Sequence, residues 1–380
     1  MRGVCSVVLD SDRALISFGG LKKSYLNFLQ EIEVPLSSSN GNLLSCLREN
    51  LDILDQKIKE VEKSFPFRFE KIFLELPWGF ASKRKVADII PLKRRKRISP
   101  GDIAFARKYL EDKFLDWDDF CIHHITTNYE VEGATYEKVP LGLRAKKIKL
   151  ESQLFWIKDK VRREIEDIFD NLDREFGGLI DPGISMFSSS FRRKEKIQAV
   201  LSVNYSNSCF VVRKKEGFIF SKDFDFSLKK MVEQLGRNFG LTPPLAEEVF
   251  NRYISFKELP YFKEITIKRE GGYLNLSTQT LNSFIKDYIK QELTYLLEQI
   301  KEVSQAEFII SFIGRLSVKE GFYGFLQSCT PYSLQAPIQK SSLSSSFGCL
   351  RYGVSPFLDS DYKSNGFFLR SILNIYKEYF

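Results

Sequence analysis

The residues that could do chemistry are few, and their spacing argues against a metal site. The two histidines, His123 and His124, are adjacent, and neighbouring residues of a strand point to opposite faces, so they cannot bind one metal ion together. The six cysteines are scattered without a CxxC pair, which predicts neither a disulfide framework nor a zinc site and favours a reducing cytoplasm. We therefore expect no metal centre, and we assign no catalytic residue.

Positive charge is the second chemical feature, because the chain carries a net charge of +8 that suits an acidic partner. Two basic clusters, Lys83–Lys85 and Lys93–Arg97, flank the apolar run Val86–Leu92. Such clusters can bind nucleic acid by releasing phosphate counterions, but no helix-turn-helix, zinc or aromatic-ladder motif accompanies them. We interpret them as a solvated surface that faces anionic lipid or an acidic partner, and we expect no nucleic acid.

The elements that carry these residues indicate several domains of an α/β protein. The 380 residues are 43% hydrophobic and 28% charged, as in soluble globular chains, and no run approaches the roughly 20 apolar residues of a membrane-spanning helix. Val4–Phe18 reads as a strand, a polar turn at Asp10–Arg13 and a second strand. Gln198–Val212 repeats that pattern around Asn204–Ser208, so a second lobe is predicted to begin there.

Other predicted elements alternate between helices and strands. A helix from Lys158 is predicted to end at Gly177-Gly178, since helices commonly end at glycine. The remaining elements are a helix over 43–63, a strand over 71–76, an α+β insert with a helix beginning near Ser99 and strands over 121–132 and 146–157, helices over 228–239, 245–253 and 278–303, strands over 264–268 and 307–312, and a serine-rich entry at 341–352 into an apolar helix.

Several segments, in order along the chain, resemble the bacterial cell-division family FtsA, a branch of the actin-like ATPase superfamily. Gly240–Glu248 resembles its segment of Gly-x-Pro-Pro type, Cys121–Val131 with Pro140–Ala145 resembles its subdomain 1C, and Ser344–Gly353 resembles its final helix. The resemblance implies a two-lobed actin-like α/β fold of ribonuclease-H-like repeats with an inserted α+β subdomain 1C. An unrelated two-domain α/β protein is the alternative.

The resemblance also implies a nucleotide cleft, but its motifs are degenerate. The family's first phosphate turn matches Asp10-Ser11-Asp12-Arg13, which keeps a carboxylate and lacks glycine. The second turn falls on Val203–Ser208, where the carboxylate is lost and side chains replace each glycine. We predict no Mg-ATP hydrolysis and weak or absent nucleotide binding. The positions that match this degenerate cleft are Asp10, Ser11, Asp12, Asn204, Tyr205, Ser206, Asn207, Ser208, Glu248, Gly314 and Arg315.

The C-terminal residues predict an amphipathic helix. At about 100° per residue, the bulky apolar side chains fall on one face and Arg370 and Lys377 fall on the other, which suits burial at a lipid headgroup boundary. FtsA proteins end in a similar membrane-targeting helix, and a helix docked on its own domain is the alternative. The predicted membrane-binding residues are Phe368, Leu369, Arg370, Ile372, Leu373, Ile375, Tyr376, Lys377, Tyr379 and Phe380.

These observations predict the following domain plan. The first lobe covers 1–81 and 158–197, subdomain 1C covers 82–157, the second lobe covers 198–353, a linker covers 354–366, and the amphipathic helix covers 367–380.

The function implied by the resemblance is that of a self-associating adaptor at the cytoplasmic face of the inner membrane. Such an adaptor links filaments of the tubulin-like protein FtsZ to the membrane, and the family holds the FtsZ peptide in a region that corresponds to 228–268 here. Polymerisation would strengthen a weak membrane helix through avidity. The alternatives are a PilM-like adaptor of type IV pilus assembly, a working actin-like ATPase or sugar-kinase relative, and a nucleic-acid-binding protein.

Overall fold

The computed structural model describes residues 2–10, 13–22, 25–37, 42–189, 197–205, 208–214, 217–224, 226–257, 263–269, 272–303, 308–335 and 345–358. The chain forms two compact units. Unit 1 comprises Met1–Ser189, the short stretch Arg213–Ile219 and the segment that begins at Ser345. Unit 2 comprises Ser190–Val212 and Phe220–Ser344.

Unit 1 begins with the predicted hairpin and continues as alternating strands and helices. In chain order its elements are β1 (Arg2–Asp10), β2 (Arg13–Lys22), β3 (Tyr25–Pro35), α1 (Leu43–Glu62), β4 (Phe69–Glu75), β5 (Ser82–Arg97), α2 (Pro100–Phe114), β6 (Asp119–Val131), β7 (Ala134–Tyr136), β8 (Arg144–Lys158), α3 (Asp159–Asp170), β9 (Glu175–Ile180) and α4 (Pro182–Ser188).

Unit 2 and the C-terminal segment contribute the remaining elements. They are β10 (Ile197–Val203), β11 (Ser208–Lys214), β12 (Gly217–Phe224), α5 (Leu228–Phe239), α6 (Pro243–Tyr253), β13 (Glu264–Arg269), β14 (Gly272–Ser277), α7 (Thr278–Val303), β15 (Phe308–Ile313), a 3₁₀ turn over Arg315–Val318, α8 (Phe322–Cys329), β16 (Ser333–Gln335) and α9 (Ser345–Leu358).

Each unit is organised around a five-stranded sheet. The first has the order β3-β2-β1-β4-β9, with β4 parallel to both β1 and β9. The second has the order β12-β11-β10-β15-β16, with β15 parallel to both β10 and β16. In unit 1 the first sheet buries one face against α1 and α3, through side chains such as Leu47, Leu54 and Ile165. Parallel strands covered by helices are typical of α/β proteins.

The insert is a separate antiparallel sheet of order β5-β8-β6-β7. Helix α2 covers one face of it and buries Ile103 and Leu110 against Val86 and Leu150. The helix starts at a capping box, in which Ser99 accepts from the Asp102 amide and the Asp102 carboxylate accepts from the Ser99 amide. The two basic clusters therefore belong to one 16-residue strand at the edge of this sheet.

The predicted helix over 158–176 is wrong in its C-terminal part. Helix α3 ends at Asp170, and Gly177 and Gly178 lie inside strand β9. Their role is close packing and backbone shape: a Cβ on Gly177 would lie 2.5 Å from the Phe73 ring, and Gly178 has φ +128°. The glycine pair that signals a helix end in the sequence lies in a parallel edge strand instead.

Helix α9 closes the second face of the unit 1 sheet. It buries Cys349, Leu350 and Val354 in a cluster with Val8 and Phe73. A Cβ on Gly348 would lie 1.8 Å from the Ser185 backbone oxygen of α4, so only glycine permits this approach. The serine-rich sequence at the start of α9 thus supplies small side chains for close helix packing.

Helix α9 also extends further than predicted. It runs to Leu358 and buries Val354 completely, so residues 354–358 are helical although the predicted linker begins at 354. The predicted amphipathic helix over 367–380 and the rest of the linker lie outside the described residues. In the part of the chain that the structure describes, no helix is both long enough and apolar enough to cross a membrane.

Substituting Gly348→Ala should destabilise unit 1 severely, because the new methyl group would overlap the backbone of Ser185. We expect a loss of about 3 kcal/mol or more in the free energy of unfolding, measured by urea denaturation. Gly101→Ala is the matched control, because its Cβ would meet only the Ser99 hydroxyl, at 3.8 Å. Equal stabilities of the two variants would contradict the packing described for α9.

Candidate functional site

Three acidic residues lie at the carboxyl ends of neighbouring strands of the unit 1 sheet. We call this group, Asp10, Glu75 and Asp181, the acidic edge. Asp10 ends β1, Glu75 ends β4, and Asp181 directly follows β9. These three strands run parallel, so their carboxyl ends share an edge, which is where open α/β sheets bind ligands. All three residues are buried, with exposed fractions of 9%, 5% and 7% respectively.

Glu75 is held in an environment that favours its neutral form. Burial raises the pKa of Glu75 to about 8, and the charges of Asp181 and Asp10 act in the same direction. The hydroxyls of Ser185 and Ser345 lie nearby and oppose the shift, but Oε2 of Glu75 and Oγ of Ser185 have no partner within hydrogen-bond distance. The acidic edge therefore carries less negative charge at neutral pH than its composition indicates.

Asp181 is fixed in place by the insert as well as by its own helix. Its side chain caps α4 by accepting from the Gly183 amide at 2.9 Å, and its backbone amide donates to Nε2 of His123 at 3.1 Å. Burial raises the pKa of Asp181 to about 6, while the Lys83 charge and the α4 amides oppose the shift. Burial lowers the pKa of His123 to about 3, so a neutral imidazole accepts this bond.

The two adjacent histidines contact different parts of the insert and its surroundings. The ring of His123 lies 5.3 Å from the ring of Tyr352 on α9. Nδ1 of His124 lies 2.8 Å from the Glu111 carboxylate of α2, and burial lowers the pKa of His124 to about 4. They point in different directions, as the strand pattern predicts, and each has a partner of its own.

The second predicted turn lies in unit 2 and caps a helix. The carbonyls of Asn204 and Tyr205 accept from the Leu228 and Lys229 amides of α5, at 3.1 and 2.8 Å. Val203, which precedes the turn, is only 2% exposed at the end of β10. The turn is therefore tied to α5 through its carbonyl groups, and the residue before it belongs to the apolar core.

Gly314 packs directly against this turn. It follows β15, which is parallel to β10, and a Cβ there would lie 2.3 Å from the Val203 backbone oxygen. With φ +96° it also has a backbone conformation that favours glycine. Arg315 begins the 3₁₀ turn that follows, and its side chain is outside the described part of the molecule.

The other predicted site residues are more scattered. Glu248 is half-exposed on α6 and pairs with Arg252 at 2.9 Å, one helical turn along. Ser208 is fully buried at the start of β11. Ser11, Asp12, Ser206, Asn207 and the membrane-binding residues over 368–380 lie outside the described residues. In unit 2 the structure brings Asn204, Tyr205 and Gly314 together, and in unit 1 it places Asp10 beside two acids that the sequence analysis missed.

Glu75 and Asp181 have a recognisable sequence signal. Each is an acidic residue at the end of an apolar run and close to a proline, in Leu74-Glu75-Leu76-Pro77 and in Ile180-Asp181-Pro182. Asp181 was not predicted as a site residue because the helix predicted to end at Gly177-Gly178 covered part of strand β9. An acid that ends a strand of a parallel sheet is the pattern to look for.

A separate acidic cluster has the geometry of a metal site but holds a lysine. In the described residues, one oxygen from each of Asp116, Asp118 and Asp119 lies within 4.8 Å of the others. The ammonium group of Lys158 lies 3.0 Å from Asp118 and 2.8 Å from Asp119, and these carboxylates raise its pKa. Lys158 thus supplies the positive charge that this cluster requires.

The comparisons with known proteins identify the fold. No protein-family model matches the sequence, and no curated protein is similar to it at a significant level. A chain of the PilM–PilN type IV pilus biogenesis complex is similar in structure, with a TM-score of 0.56 and 12% identity over 92% of this chain and 96% of that one.

Two further structures are similar. The ethanolamine utilization protein EutJ of Carboxydothermus hydrogenoformans has a TM-score of 0.53 and 9% identity, over 92% of this chain and 89% of its own. MreB5 of Spiroplasma citri bound to ADP has a TM-score of 0.51 and 8% identity, over 96% and 99%. The chain has the two-lobed actin-like α/β fold, as expected from the sequence.

Replacing Glu75 by glutamine should change how stability depends on pH. A carboxyl group whose pKa is raised on folding stabilises the protein fully below about pH 4.5, and this contribution is lost as the pH rises through about 8. We expect Glu75→Gln to gain up to about 4 kcal/mol relative to wild type between pH 5 and pH 9, measured by urea unfolding. Glu70→Gln, on the exposed side of the same strand, is the matched control. Parallel pH profiles for Glu75→Gln and wild type would show that Glu75 is ionised in the folded protein.

Proposed function

We propose that this chain is a membrane-associated actin-like adaptor of the FtsA type, in which nucleotide hydrolysis has been lost. It self-associates, attaches to the cytoplasmic face of the inner membrane through residues 367–380, and links filaments of an FtsZ-like protein to that membrane. The proposal is supported by the actin-like fold, the ordered FtsA-like segments and the amphipathic C-terminal pattern.

The observation that carries the loss of hydrolysis is the burial of Val203. The resemblance aligns this position with the carboxylate that positions Mg²⁺ in actin-like ATPases. Here it is an apolar side chain, 2% exposed, with Gly314 packed against its backbone. An aliphatic side chain offers no ligand to a hard cation, which takes oxygen donors.

Partner binding is supported by a groove on unit 2. A cavity of about 420 Å³ lies between α5 and α7 and reaches Phe224 at the end of β12. Aromatic side chains line it and charged groups of both signs stand beside them: Phe224, Phe226, Tyr288, Tyr295, Lys230, Glu233, Arg237 and Glu292. Aromatic side chains and arginine are enriched at protein interfaces, and Trp, Tyr and Arg are enriched among the residues that dominate binding. Helix α5 belongs to the region that corresponds to the FtsZ-binding part of the FtsA family.

A second candidate function is an adaptor of type IV pilus assembly. The structural likeness to a chain of the PilM–PilN complex favours it. Such an adaptor would capture a peptide of an inner-membrane partner rather than the FtsZ C-terminal peptide. The two candidates share the actin-like fold and differ in the peptide that is bound.

The loss of hydrolysis is tested with Mg-ATP. We expect isothermal titration calorimetry to show no saturable heat at millimolar Mg-ATP and a phosphate-release assay to stay at the buffer blank, because Val203 provides no ligand for Mg²⁺. Asp10→Asn is the companion variant, since Asp10 is the carboxylate retained in the first turn. Micromolar binding by wild type that disappears in Asp10→Asn would establish a working nucleotide site and contradict the proposal.

The partner is tested with labelled peptides from the same genome, namely the FtsZ C-terminal peptide and a set of peptides that spans a PilN-like protein. We expect the FtsZ peptide to bind in fluorescence anisotropy and Tyr295→Ala to weaken it at least about 10-fold, because an exposed aromatic anchor of the groove is removed. Tyr273→Ala, an exposed tyrosine on β14 that does not line the groove, should leave binding unchanged. Binding of a PilN peptide alone would support the pilus function instead.

A further inference from the structure

The far end of the insert carries a dense group of exposed cations. We name this group the distal tip; it consists of Arg95, Arg97, Arg144, Lys146 and Lys147, together with the neighbouring Leu141 and Leu143. Strands β5 and β8 join the insert to the first sheet at the opposite end, where Ser82 pairs with Trp156. The strand rise over residues 144–156 places the distal tip about 40 Å from that junction.

The two strands meet at the distal tip in an arrangement that costs stability. Arg97 lies directly opposite Arg144, and like charges opposite each other in an antiparallel pair are destabilising. Pro91 pairs with Lys147 and Lys96 pairs with Ala145, so residues 92–95 bulge out opposite Lys146 alone. Proteins that depart from favourable local pairing in this way most often do so at functional sites.

The cations of the distal tip are not neutralised by the rest of the described chain. In the described residues, none of these five side chains forms an ion pair, whereas the neighbouring Lys96 pairs with Asp102. The Glu132 carboxylate accepts from the backbone amide of Lys146 at 3.2 Å, and not from its ammonium group. The positive charge is therefore available to an external anion.

Apolar side chains stand beside the cations. Leu141 and Leu143 are 38% and 37% exposed. Their loop is bonded to the end of β5, because Ile98 donates to the Leu143 carbonyl and Gly142 donates to the Ile98 carbonyl. Two leucines and five cations thus share one small surface.

We propose that the distal tip binds the anionic headgroups of a lipid bilayer, as a membrane contact separate from the C-terminal residues. The inference deepens the proposed membrane adaptor and rests on it. Lysine and arginine near an anionic leaflet are attracted to its surface potential, and the leucines enter the headgroup boundary beside them. A second contact, on the insert, fixes the orientation of the protein on the membrane.

The same cations could contact nucleic acid, but the apolar side chains favour lipid. Single-stranded nucleic acid is bound by exposed aromatic side chains on which bases stack. Within the described residues of the distal tip, none is an aromatic residue. Leucines contribute to a bilayer contact and add nothing to phosphate recognition.

The test is vesicle co-sedimentation of the full chain. The vesicles are phosphatidylcholine alone or phosphatidylcholine mixed with phosphatidylglycerol. The tip variant is Arg95→Glu, Arg97→Glu and Arg144→Glu, and the matched control reverses three exposed lysines elsewhere: Lys63→Glu, Lys160→Glu and Lys229→Glu. The tail variant, Ile372→Asp with Tyr376→Asp, tests the C-terminal residues separately.

We expect the tip variant to bind the anionic vesicles about 100-fold more weakly than the wild type, and the control to stay close to the wild type. Raising the salt concentration should weaken the wild type and hardly affect the tip variant, because salt screens exposed charges. The milder Arg→Gln triple variant should show an intermediate loss, and circular dichroism melts confirm that each variant is folded.

The two proposals fail in different ways. A tip variant that binds like the wild type overturns the inference, even when the tail variant loses binding and the membrane adaptor stands. If the tail variant binds like the wild type, the proposal of a C-terminal membrane anchor is wrong. If the tip variant then fails to bind, the inference about the distal tip still holds. If the tip variant binds vesicles normally and instead loses retention on single-stranded DNA, the occupant is nucleic acid and the inference is wrong.

Discussion

Unit 1 depends on the close contact between α9 and α4, across the open face of its sheet. Gly348 lies against the Ser185 backbone of α4 and Gly353 lies against the Phe73 ring, so α9 approaches both neighbours closely. Ser6 donates to the Ser346 carbonyl at 2.6 Å, and the hydroxyls of Ser17 and Ser346 lie 2.7 Å apart. The same contact reaches the acidic edge, since the hydroxyls of Ser185 on α4 and Ser345 on α9 lie near the Glu75 carboxyl group.

The acidic edge of unit 1 and the second predicted turn of unit 2 present different chemical groups. Unit 1 presents three buried carboxyl groups, and burial holds one of them, Glu75, largely neutral at pH 7. Unit 2 presents a turn whose carbonyls cap α5 beside a buried valine. The two units therefore present different groups at these positions, carboxyl groups in unit 1 and backbone carbonyls beside an apolar side chain in unit 2.

Local patterns predicted most of the fold but little of the site. The apolar spacing of α1, α5 and α7 gave their limits within a residue or so, because each helix buries one regular face. Strand β9 was missed because Gly177 serves the packing against Phe73, and that contact comes from a residue about a hundred positions away. Glu75 and Asp181 meet Asp10 only through the parallel pairing of three distant strands. The spacing of residues along the sequence does not predict that these three acids lie close together.

The order of the segments in unit 1 also has a consequence during synthesis. Helix α9 leaves the ribosome only after the whole of unit 2, while β1, β4 and β9 are made long before it. At ordinary translation rates the delay is on the order of 10 s or more. Throughout that interval Val8 and Phe73 lack the helix that covers them in the finished protein. The nascent chain therefore exposes an apolar sheet face until α9 has been made.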